Sequence, residues 1–312
     1  MSKPVMRLSA EMKKWKKITE LTAEIRGFEE AIEDVYAEDM IESPVHLSIG
    51  QELISVLAGL NSEREDVIVG TYRSHAITLA RSEKRAEIID ELCGTKDGIY
   101  GGRAGSMHLG DPDANMPWTS AIVGSGVPIA AGAAQACKWD EEGGICICLF
   151  GDGAIEEGGV LETLNIASSR GLPLLMILED NDLAIYTKKA KRSHESFSYK
   201  KLAEAFGIKY TKATLKEVFK LEKAMHNAFE YCRREIKPIL FHVECYRWRQ
   251  HVGINGDFDR GYRTEKELIE WVENDIIEGN RFKYKAEFGA FVTKEHYRML
   301  YADCFRRVKK NG

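Results

Sequence analysis

The sequence predicts an α/β fold with a doubly wound, mostly parallel sheet and helical segments at both ends of the chain. Two observations support this prediction. The run Ile145–Phe150 is continuously apolar, as a parallel strand covered by helices on both faces would be. A second apolar run, Leu174–Leu178, follows after a helical stretch and the break Gly171-Leu-Pro173. A strand, a helix and a strand in this order indicate a β-α-β unit within a parallel sheet.

The other elements follow from hydrophobic spacing and turn residues. Apolar residues recur at helical spacing over Ser9–Met40, and Gln51–Leu60 is predicted as a second helix. The apolar residues within Asp66–Gly70 predict a short buried strand. Further along we expect helices near 158–169, 199–206 and 215–234, a strand near 239–246, a polar loop to 261 and helical segments over 265–309.

These elements predict one domain spanning 1–312, with N-terminal helices in 1–60 and C-terminal helices in 265–312. In doubly wound sheets, ligands bind at the carboxyl ends of the strands. The loops 151–157 and 180–187 each follow a predicted strand. We therefore expect the functional site to lie at these two loops.

Charge and composition narrow the class of protein. The 312 residues include 44 Lys and Arg against 49 Asp and Glu, a formal net charge of −5, which excludes a strongly basic nucleic-acid binder. No apolar stretch approaches the roughly 18 to 20 residues of a membrane span. The first residues also lack the apolar core of a secretory signal. We therefore expect a soluble, cytoplasmic protein that binds neither nucleic acid nor membrane.

The seven cysteines include no C-x-x-C pair, which is typical of reduced thiols in the cytoplasm. Cys146 and Cys148 are the closest pair in the sequence. We expect both to be core residues, and we expect the strand to point them to opposite faces of the sheet. A metal site at this pair is not predicted.

Gly151-Asp-Gly153, after the first buried strand, admits two interpretations. A dinucleotide fingerprint requires a third glycine where this chain has Glu156, which weakens the nicotinamide interpretation. Alternatively, Asp152 and Asn181 end neighbouring strands and bind one metal ion. Their carboxylate and amide oxygens suit Mg²⁺, which is commonly completed by phosphate oxygens. An aspartate after a glycine is otherwise a turn residue or helix cap.

The segment from Gly151-Asp-Gly-Ala154 through Glu179-Asp-Asn181 to Thr187 resembles the thiamine diphosphate motif. Its surroundings resemble the α subunit of the E1 component of 2-oxo acid dehydrogenase complexes, in the pyruvate and acetoin branch. Other segments resemble family signatures in the same order: His46-Leu-Ser-Ile-Gly-Gln-Glu52, Tyr72-Arg73 with His75, Gly105-Ser-Met-His108, Ile122-Val-Gly124 with Val127-Pro128, Leu172-Pro173, and Gly261-Tyr-Arg-Thr264. The resemblance implies a thiamine diphosphate-binding fold.

The resemblance also implies how the cofactor and metal are held. Asp152, Asn181 and the backbone carbonyl of Leu183, where the family often has Tyr, would bind Mg²⁺. Tyr72 and Arg73 resemble the pair that contacts the cofactor, and the Arg73 fork of donors suits a diphosphate.

Five further positions match cofactor contacts in the family. Ala121, where relatives often carry Gly, and Val123 would give backbone contacts to the aminopyrimidine ring. Gly153 and Ala154 would let the backbone approach the diphosphate, and the helix that follows would favour its charge. Arg247 is another candidate for binding the diphosphate.

Two histidines match catalytic positions in the family. His46 corresponds to a histidine near the 2-oxo acid, and His251 to one on a mobile loop that reaches the cofactor and the acyl acceptor. Either could transfer a proton or stabilise developing negative charge. His75 and His108 could have a direct role or could be buried hydrogen-bonding residues. The charged run 188–192 is predicted to be a solvated loop.

Some positions depart from the family pattern. The loop of His251 carries Arg249 where the family has another histidine, and it lacks the regulatory serine, so serine phosphorylation there is excluded. Glu156 and Glu157 stand where pyruvate-type relatives often have Asn-Gln. These differences leave the choice of substrate open.

The resemblance implies an α subunit that needs a separate β subunit, as an α2β2 assembly, because the β chain supplies the glutamate that activates the cofactor. The leading hypothesis is decarboxylation of pyruvate, or cleavage of acetoin, with transfer of the two-carbon unit to a lipoyl-bearing E2 partner. A rival is a two-subunit acyl or ketol transferase acting on a sugar or another metabolite. A third is a non-catalytic regulatory or scaffold subunit, against which intact Asp152, Asn181, Tyr72 and Arg73 argue.

Overall fold

The structure is a computed structural model that describes residues 8–140, 143–288 and 293–311. The helices are α1 Ala10–Tyr36, α2 Glu52–Asn61, α3 His75–Arg81, α4 Arg85–Leu92, α5 Gly126–Trp139, α6 Gly158–Arg170, α7 Tyr199–Ala205, α8 Val218–Glu235, α9 Glu265–Asn274, α10 Lys285–Phe288 and α11 Lys294–Asn311. The strands are β1 Val67–Thr71, β2 Trp118–Ser120, β3 Cys146–Gly151, β4 Leu174–Asp180, β5 Leu183–Ala184, β6 Thr187–Lys188, β7 Lys209–Thr214 and β8 Ile239–Glu244.

Six of the strands form one parallel sheet in the order β2-β1-β3-β4-β8-β7, and β5 and β6 form a small antiparallel hairpin. The predicted doubly wound parallel sheet is therefore confirmed. The register places Gly151 of β3 beside Glu179 of β4. The residues that follow these two strands consequently leave the sheet at the same edge.

Helices cover the sheet on both faces, and the strand residues alternate between two hydrophobic clusters. In β3, Ile147 and Leu149 belong to the cluster that contains α1, α2 and α8. Cys146, Cys148 and Phe150 belong to the other cluster, with α5 and α6. The prediction that the two cysteines face opposite ways was wrong, because residues two apart in a strand share a face. Both are buried core residues, as expected.

The two ends of the chain pack against each other. Phe28 of α1 lies against Tyr301 and Phe305 of α11, with ring centroids 5.0 and 5.5 Å apart. Ser9 caps α1, since its hydroxyl accepts a hydrogen bond from the Met12 amide at 3.2 Å. None of the helices in the described part of the chain is both long enough and apolar enough to cross a bilayer.

Buried charges on α1 fix the loop 46–51, which leads toward the site. Glu29 accepts a hydrogen bond from the Ser48 amide at 2.9 Å. Arg26 forms an ion pair with Glu52, and Glu52 in turn accepts from the Gly50 amide at 2.8 Å. Because these charges are buried and paired, breaking one partner would leave the other uncompensated. The loop is thereby held at a fixed position against the helix.

One prediction of stability concerns Ile236, which follows α8 with the left-handed dihedrals φ 50° and ψ 49°. A β-branched side chain is strained there, whereas glycine adopts this conformation readily. We expect Ile236→Gly to raise the free energy of unfolding by about 1 kcal/mol, measured by urea denaturation. Ile236→Ala keeps the Cβ atom and should give little of this gain. An equal gain from both variants would contradict the explanation.

Candidate active site

A cavity of about 460 Å³ opens at the carboxyl edge of the sheet. Its wall is made by residues that follow β1, β2, β3, β4 and β8, as expected for a doubly wound sheet. All twelve residues predicted from the sequence line it: His46, Tyr72, Arg73, Ala121, Val123, Asp152, Gly153, Ala154, Asn181, Leu183, Arg247 and His251. The structure thus brings together side chains from across 205 positions of the chain.

Asp152 begins a short 3-10 helix directly after β3 and is almost completely buried. Its Oδ2 atom accepts a hydrogen bond from Arg192 Nη2. Burial raises the pKa of Asp152 to about 6, with a further contribution from the charge of Asp180, while Arg192 opposes the shift. A bound cation would favour the ionised carboxylate.

Asn181 follows β4 and is oriented by two hydrogen bonds. Its Nδ2 atom donates to Gln51 Oε1, and its Oδ1 atom accepts from the Leu183 amide, both at 3.2 Å. Because Nδ2 of Asn181 points toward Gln51, its Oδ1 atom points toward the Leu183 amide. Gln51 belongs to a segment that the sequence singled out, but its role as a partner of Asn181 was not predicted.

The hairpin after Asn181 corrects the prediction that the run 188–192 is a solvated loop. Arg192 has only 8% of its side chain exposed and forms ion pairs with Asp152 and Glu156. Lys189 forms an ion pair with the buried Asp180. Lys188 and Lys191 fit the prediction better, since Lys191 is exposed and the ion pair of Lys188 with Glu267 is more than a third exposed. Two charged residues of this run, Lys189 and Arg192, therefore pair with buried carboxylates instead of facing solvent.

Gly151 and Gly153, at this edge of the sheet, differ in the space beside their Cα atoms. A Cβ atom on Gly153 would lie 2.9 Å from the Cβ atom of Ala184 on β5, so the close approach of the two loops requires glycine. A Cβ atom on Gly151 would meet nothing within 4 Å. Gly151 therefore borders open space inside the cavity.

Tyr72 and Arg73 follow the end of β1 and line the cavity. The Arg73 guanidinium donates to the carbonyl oxygens of Leu47 and His251, at 2.5 and 3.3 Å. These bonds fix a positive charge in the wall of the cavity. Such a charge favours an anionic ligand.

His46, Tyr72 and His251 form an aromatic cluster with ring centroids 4.5 to 5.6 Å apart. His46 is buried, and its Nδ1 atom has no hydrogen-bond partner among the described residues. Burial, with the charge of Arg73 and with His251, lowers the pKa of His46 to about 3. Burial, Arg73 and Arg247 lower the pKa of His251 to about 4. Both imidazoles are neutral at pH 7 and can accept a proton.

Glu179, the penultimate residue of β4, also lines the cavity. Burial raises its pKa to about 7, and Arg73 opposes this shift. On the rim, Ala121 and Val123 follow β2, and Val123 is exposed together with Ile122. One side of the mouth is therefore apolar and open, whereas the floor is polar and buried.

The loop after β8 is organised by Asp257, a completely buried carboxylate. It accepts hydrogen bonds from Arg247 Nη1 at 3.1 Å, from Arg263 Nε at 2.6 Å and from the Tyr262 hydroxyl. Arg247 also donates to the Ile185 carbonyl at 2.9 Å. Arg247 borders the cavity, and both terminal nitrogens of its guanidinium donate to protein oxygens, as those of Arg73 do.

Three other residues that the sequence singled out, His75, His108 and Arg249, lie in different environments. His75 is fully buried and is bonded to Glu29 and to Ser106 Oγ, at 3.2 and 2.7 Å. It has the loop-ordering environment that was one of its two predicted roles. His108 contacts the Thr119 carbonyl at 3.2 Å and is exposed. Arg249, which replaces a family histidine, forms an ion pair with Glu33 of α1.

The donor set of the site is compatible with a hard cation. Across the described ranges, no three His, Cys, Asp or Glu side chains are grouped so as to hold a metal ion. Asp152, Asn181 and the Leu183 carbonyl instead offer one carboxylate, one amide and one backbone oxygen. Oxygen donors of this kind, completed by phosphate oxygens and water, suit Mg²⁺.

The buried histidines give a prediction of pH dependence. Unfolded histidine has a pKa of about 6.5, whereas folded His46 has a pKa of about 3. Between these values the unfolded chain binds a proton that the folded chain does not, so acidification favours unfolding. We expect the free energy of unfolding of the wild type, relative to that of His46→Gln, to fall as the pH is lowered from about 6.5 toward about 3. A difference that stays constant with pH would contradict this.

The sequence also matches known proteins. The family model described as "Dehydrogenase E1 component" matches residues 20–307. The α subunit of the pyruvate dehydrogenase E1 component from Rickettsia bellii is 33% identical over 253 residues, covering 81% of this chain and 76% of that protein. The α subunit of acetoin:2,6-dichlorophenolindophenol oxidoreductase from Bacillus subtilis is 30% identical over 257 residues, covering 82% and 76%.

Among solved structures, a transketolase from Campylobacter jejuni superposes with a TM-score of 0.58 at 16% identity. The match covers 98% of this chain and 49% of the transketolase chain, so this chain spans about half the length of that protein. At this identity the likeness shows the fold. The family match and the sequence relatives together show more: the chain belongs to the dehydrogenase E1 component family.

Proposed function

We propose that this chain is the α subunit of a thiamine diphosphate-dependent E1 enzyme. In this proposal the enzyme decarboxylates pyruvate or cleaves acetoin and passes the two-carbon acyl unit to a lipoyl-bearing E2 partner. The observation that carries the proposal is the convergence of Asp152, Asn181, Leu183, Tyr72 and Arg73 on one cavity. The relatives from Rickettsia bellii and Bacillus subtilis, a pyruvate dehydrogenase subunit and an acetoin oxidoreductase subunit, support the same reaction class.

Asp152, Asn181 and the carbonyl oxygen of Leu183 would hold Mg²⁺, and through it the diphosphate. The open space beside Gly151 leaves room for this ligand, and the fixed charge of Arg73 favours it. Ala121 and Val123 would contact the aminopyrimidine ring from the rim, with Gly153 and Ala154 near the diphosphate. When bound, thiamine diphosphate supplies the nucleophilic carbon and the electron sink for cleaving the bond beside the substrate carbonyl.

His46 and His251 would act on the substrate side of the cavity. Their lowered pKa values keep both rings neutral near pH 7, so each can accept a proton or share a hydrogen bond with a substrate oxygen. His46 Nδ1 is buried and has no hydrogen-bond partner among the described residues. The clustering of the two rings around Tyr72 fixes their orientation in advance.

A β subunit is part of the proposal, as an α2β2 assembly. The exposed side chains of Ile122 and Val123 at the mouth of the cavity would be covered by this partner. In the family resemblance, the β chain supplies the glutamate that activates the cofactor. The α chain alone should therefore be inactive.

The proposal is tested by co-expressing this chain with its β partner and supplying thiamine diphosphate, Mg²⁺ and either pyruvate or acetoin. We expect turnover with a lipoylated E2 domain, and none from the α chain alone. Turnover by the purified α chain without a partner would contradict the proposed division of the site. Failure of the complete heteromer to bind thiamine diphosphate with Mg²⁺ would overturn the cofactor assignment.

The same experiment separates the rival transferase. Arg249 stands where the family resemblance has a second histidine in the loop of His251, and it is paired with Glu33. The loop therefore differs where an acyl acceptor would approach. This observation keeps a sugar or another carbonyl metabolite open as the acceptor. Product formation with such an acceptor, and none with the lipoylated domain, would favour the transferase.

A further inference from the structure

Arg192 joins two carboxylates beside the cavity. Its Nη2 atom donates to Asp152 Oδ2, its Nη1 atom donates to Glu156 Oε1, and its Nε atom donates to the Thr187 carbonyl at 3.1 Å. We propose that Arg192 is a positioning residue that holds Asp152 through Oδ2, so that the other oxygen, Oδ1, serves the metal ion. This inference rests on the proposed function, in which Asp152 binds Mg²⁺.

The Arg192 contact differs from an ordinary surface ion pair. Exposed pairs contribute little because water screens them and the side chains lose freedom. Here the Arg192 side chain is 8% exposed, Asp152 is 1% exposed, and all three guanidinium nitrogens donate. A planar guanidinium engaged in this way fixes direction as well as charge. The arrangement therefore specifies the orientation of the Asp152 carboxylate.

The backbone beneath Arg192 is anchored to the strand that leads to the second proposed ligand. The Arg192 amide donates to the Lys189 carbonyl at 2.9 Å, and Lys189 pairs with Asp180. Asp180 also contacts His242 Nε2 at 2.9 Å and directly precedes Asn181. One short segment thus contacts Asp152 through its arginine and the end of β4 through its lysine.

Glu156 resolves an electrostatic difficulty in this arrangement. A guanidinium beside a metal ligand repels the cation unless another negative charge offsets it. Glu156 supplies that charge, so that Asp152, Arg192 and Glu156 together carry one net negative charge. An uncharged asparagine at position 156 could not offset the guanidinium.

The expected effect follows from how metal ligands are oriented. Residues that hydrogen-bond a ligating side chain fix its direction, and their loss typically costs about 10- to 100-fold in metal affinity or activity. Arg192→Gln should weaken metal binding within this range. Arg192→Lys should fall in between, because an ammonium group can bond to one carboxylate without reproducing the fork.

The test uses the full chain co-expressed with its β partner and titrated with Mn²⁺ in place of Mg²⁺. Electron paramagnetic resonance measures free Mn²⁺, so the readout does not depend on turnover. Lys188→Gln is the matched control, since it removes an exposed ion pair from the same segment without touching Asp152. We expect this control to bind Mn²⁺ as the wild type does. Glu156→Gln should weaken binding, because the guanidinium is then less well offset.

The outcomes distinguish this inference from the proposed function. Asn181→Ala removes a proposed ligand directly. If Asn181→Ala weakens Mn²⁺ binding and neither Arg192 variant does, the positioning role is wrong and the metal site stands. If Asn181→Ala has no effect, the metal site itself is wrong. Tighter binding by Arg192→Gln would show that the guanidinium competes with the cation. Should Arg192→Gln fail to fold, Arg192→Lys and Glu156→Gln give the same comparison.

Discussion

Replacing Asp152 by Asn is expected to remove metal-dependent cofactor binding and, with it, turnover by the complete heteromer. The amide keeps the size of the side chain but loses the charge, and Asp152 is the only carboxylate among the three proposed ligands. Residues that merely orient a ligand cost about 10- to 100-fold when lost, so loss of the charged ligand should exceed roughly 100-fold in Mg²⁺ affinity. Calorimetric titration with thiamine diphosphate and Mg²⁺ measures this loss.

Asp182→Asn is a suitable control for Asp152→Asn. Asp182 lies in the loop after β4 with φ 66°, a conformation that asparagine also tolerates, and it faces a separate cavity. The same chemical change should therefore leave cofactor binding nearly unaltered. Equal losses in both variants would indicate a general effect of charge near the site, and unaltered binding in Asp152→Asn would refute its role as a ligand.

The central strands could be predicted from the sequence because helices cover them on both faces. Such strands are continuously apolar, as in β3 and β4. The strands that were missed have other environments. β2 has only three residues, and β7 is an edge strand without a fully buried residue. Helix α5 was also missed, since its many Ala and Gly residues give little contrast between its faces.

The site residues that follow the ends of adjacent strands could be predicted from the sequence. The contacts between residues far apart in the sequence could not. Asp152 and Asn181 end neighbouring strands, so one β-α-β unit places them at the same edge. Arg192 was misjudged because its lysine-rich surroundings are typical of solvent-exposed loops. The ion pair of Arg249 with Glu33 joins residues 216 positions apart, and no local pattern specifies such a contact.

The role of Asp257 also could not be predicted from a local sequence pattern. Asp257 is one of two aspartates in a polar loop, and no periodic or motif signal marks it in the sequence. In the structure it forms ion pairs with two buried guanidinium groups, those of Arg247 and Arg263. The loop between them carries His251, so the position of a proposed catalytic group depends on a carboxylate that no sequence pattern selects.

Replacing Asp257 by Asn should therefore destabilise the protein strongly. Arg247 and Arg263 would remain buried, each 1% exposed, without their shared negative charge. Removing one partner of a buried ion pair typically costs about 3 to 5 kcal/mol. We expect a loss of this size in the free energy of unfolding, measured by urea denaturation, together with reduced turnover because His251 is no longer held.

Asp259→Asn provides the comparison, because Asp259 lies two residues further along the same loop and is exposed. This variant should change the free energy of unfolding by no more than about 0.5 kcal/mol. Hydrogen exchange over 247–263 then locates the effect, since a lost anchor in Asp257→Asn should speed exchange there first. If Asp257→Asn loses less than about 1 kcal/mol, or if exchange in this loop is unchanged, the two arginines do not depend on Asp257 for their burial.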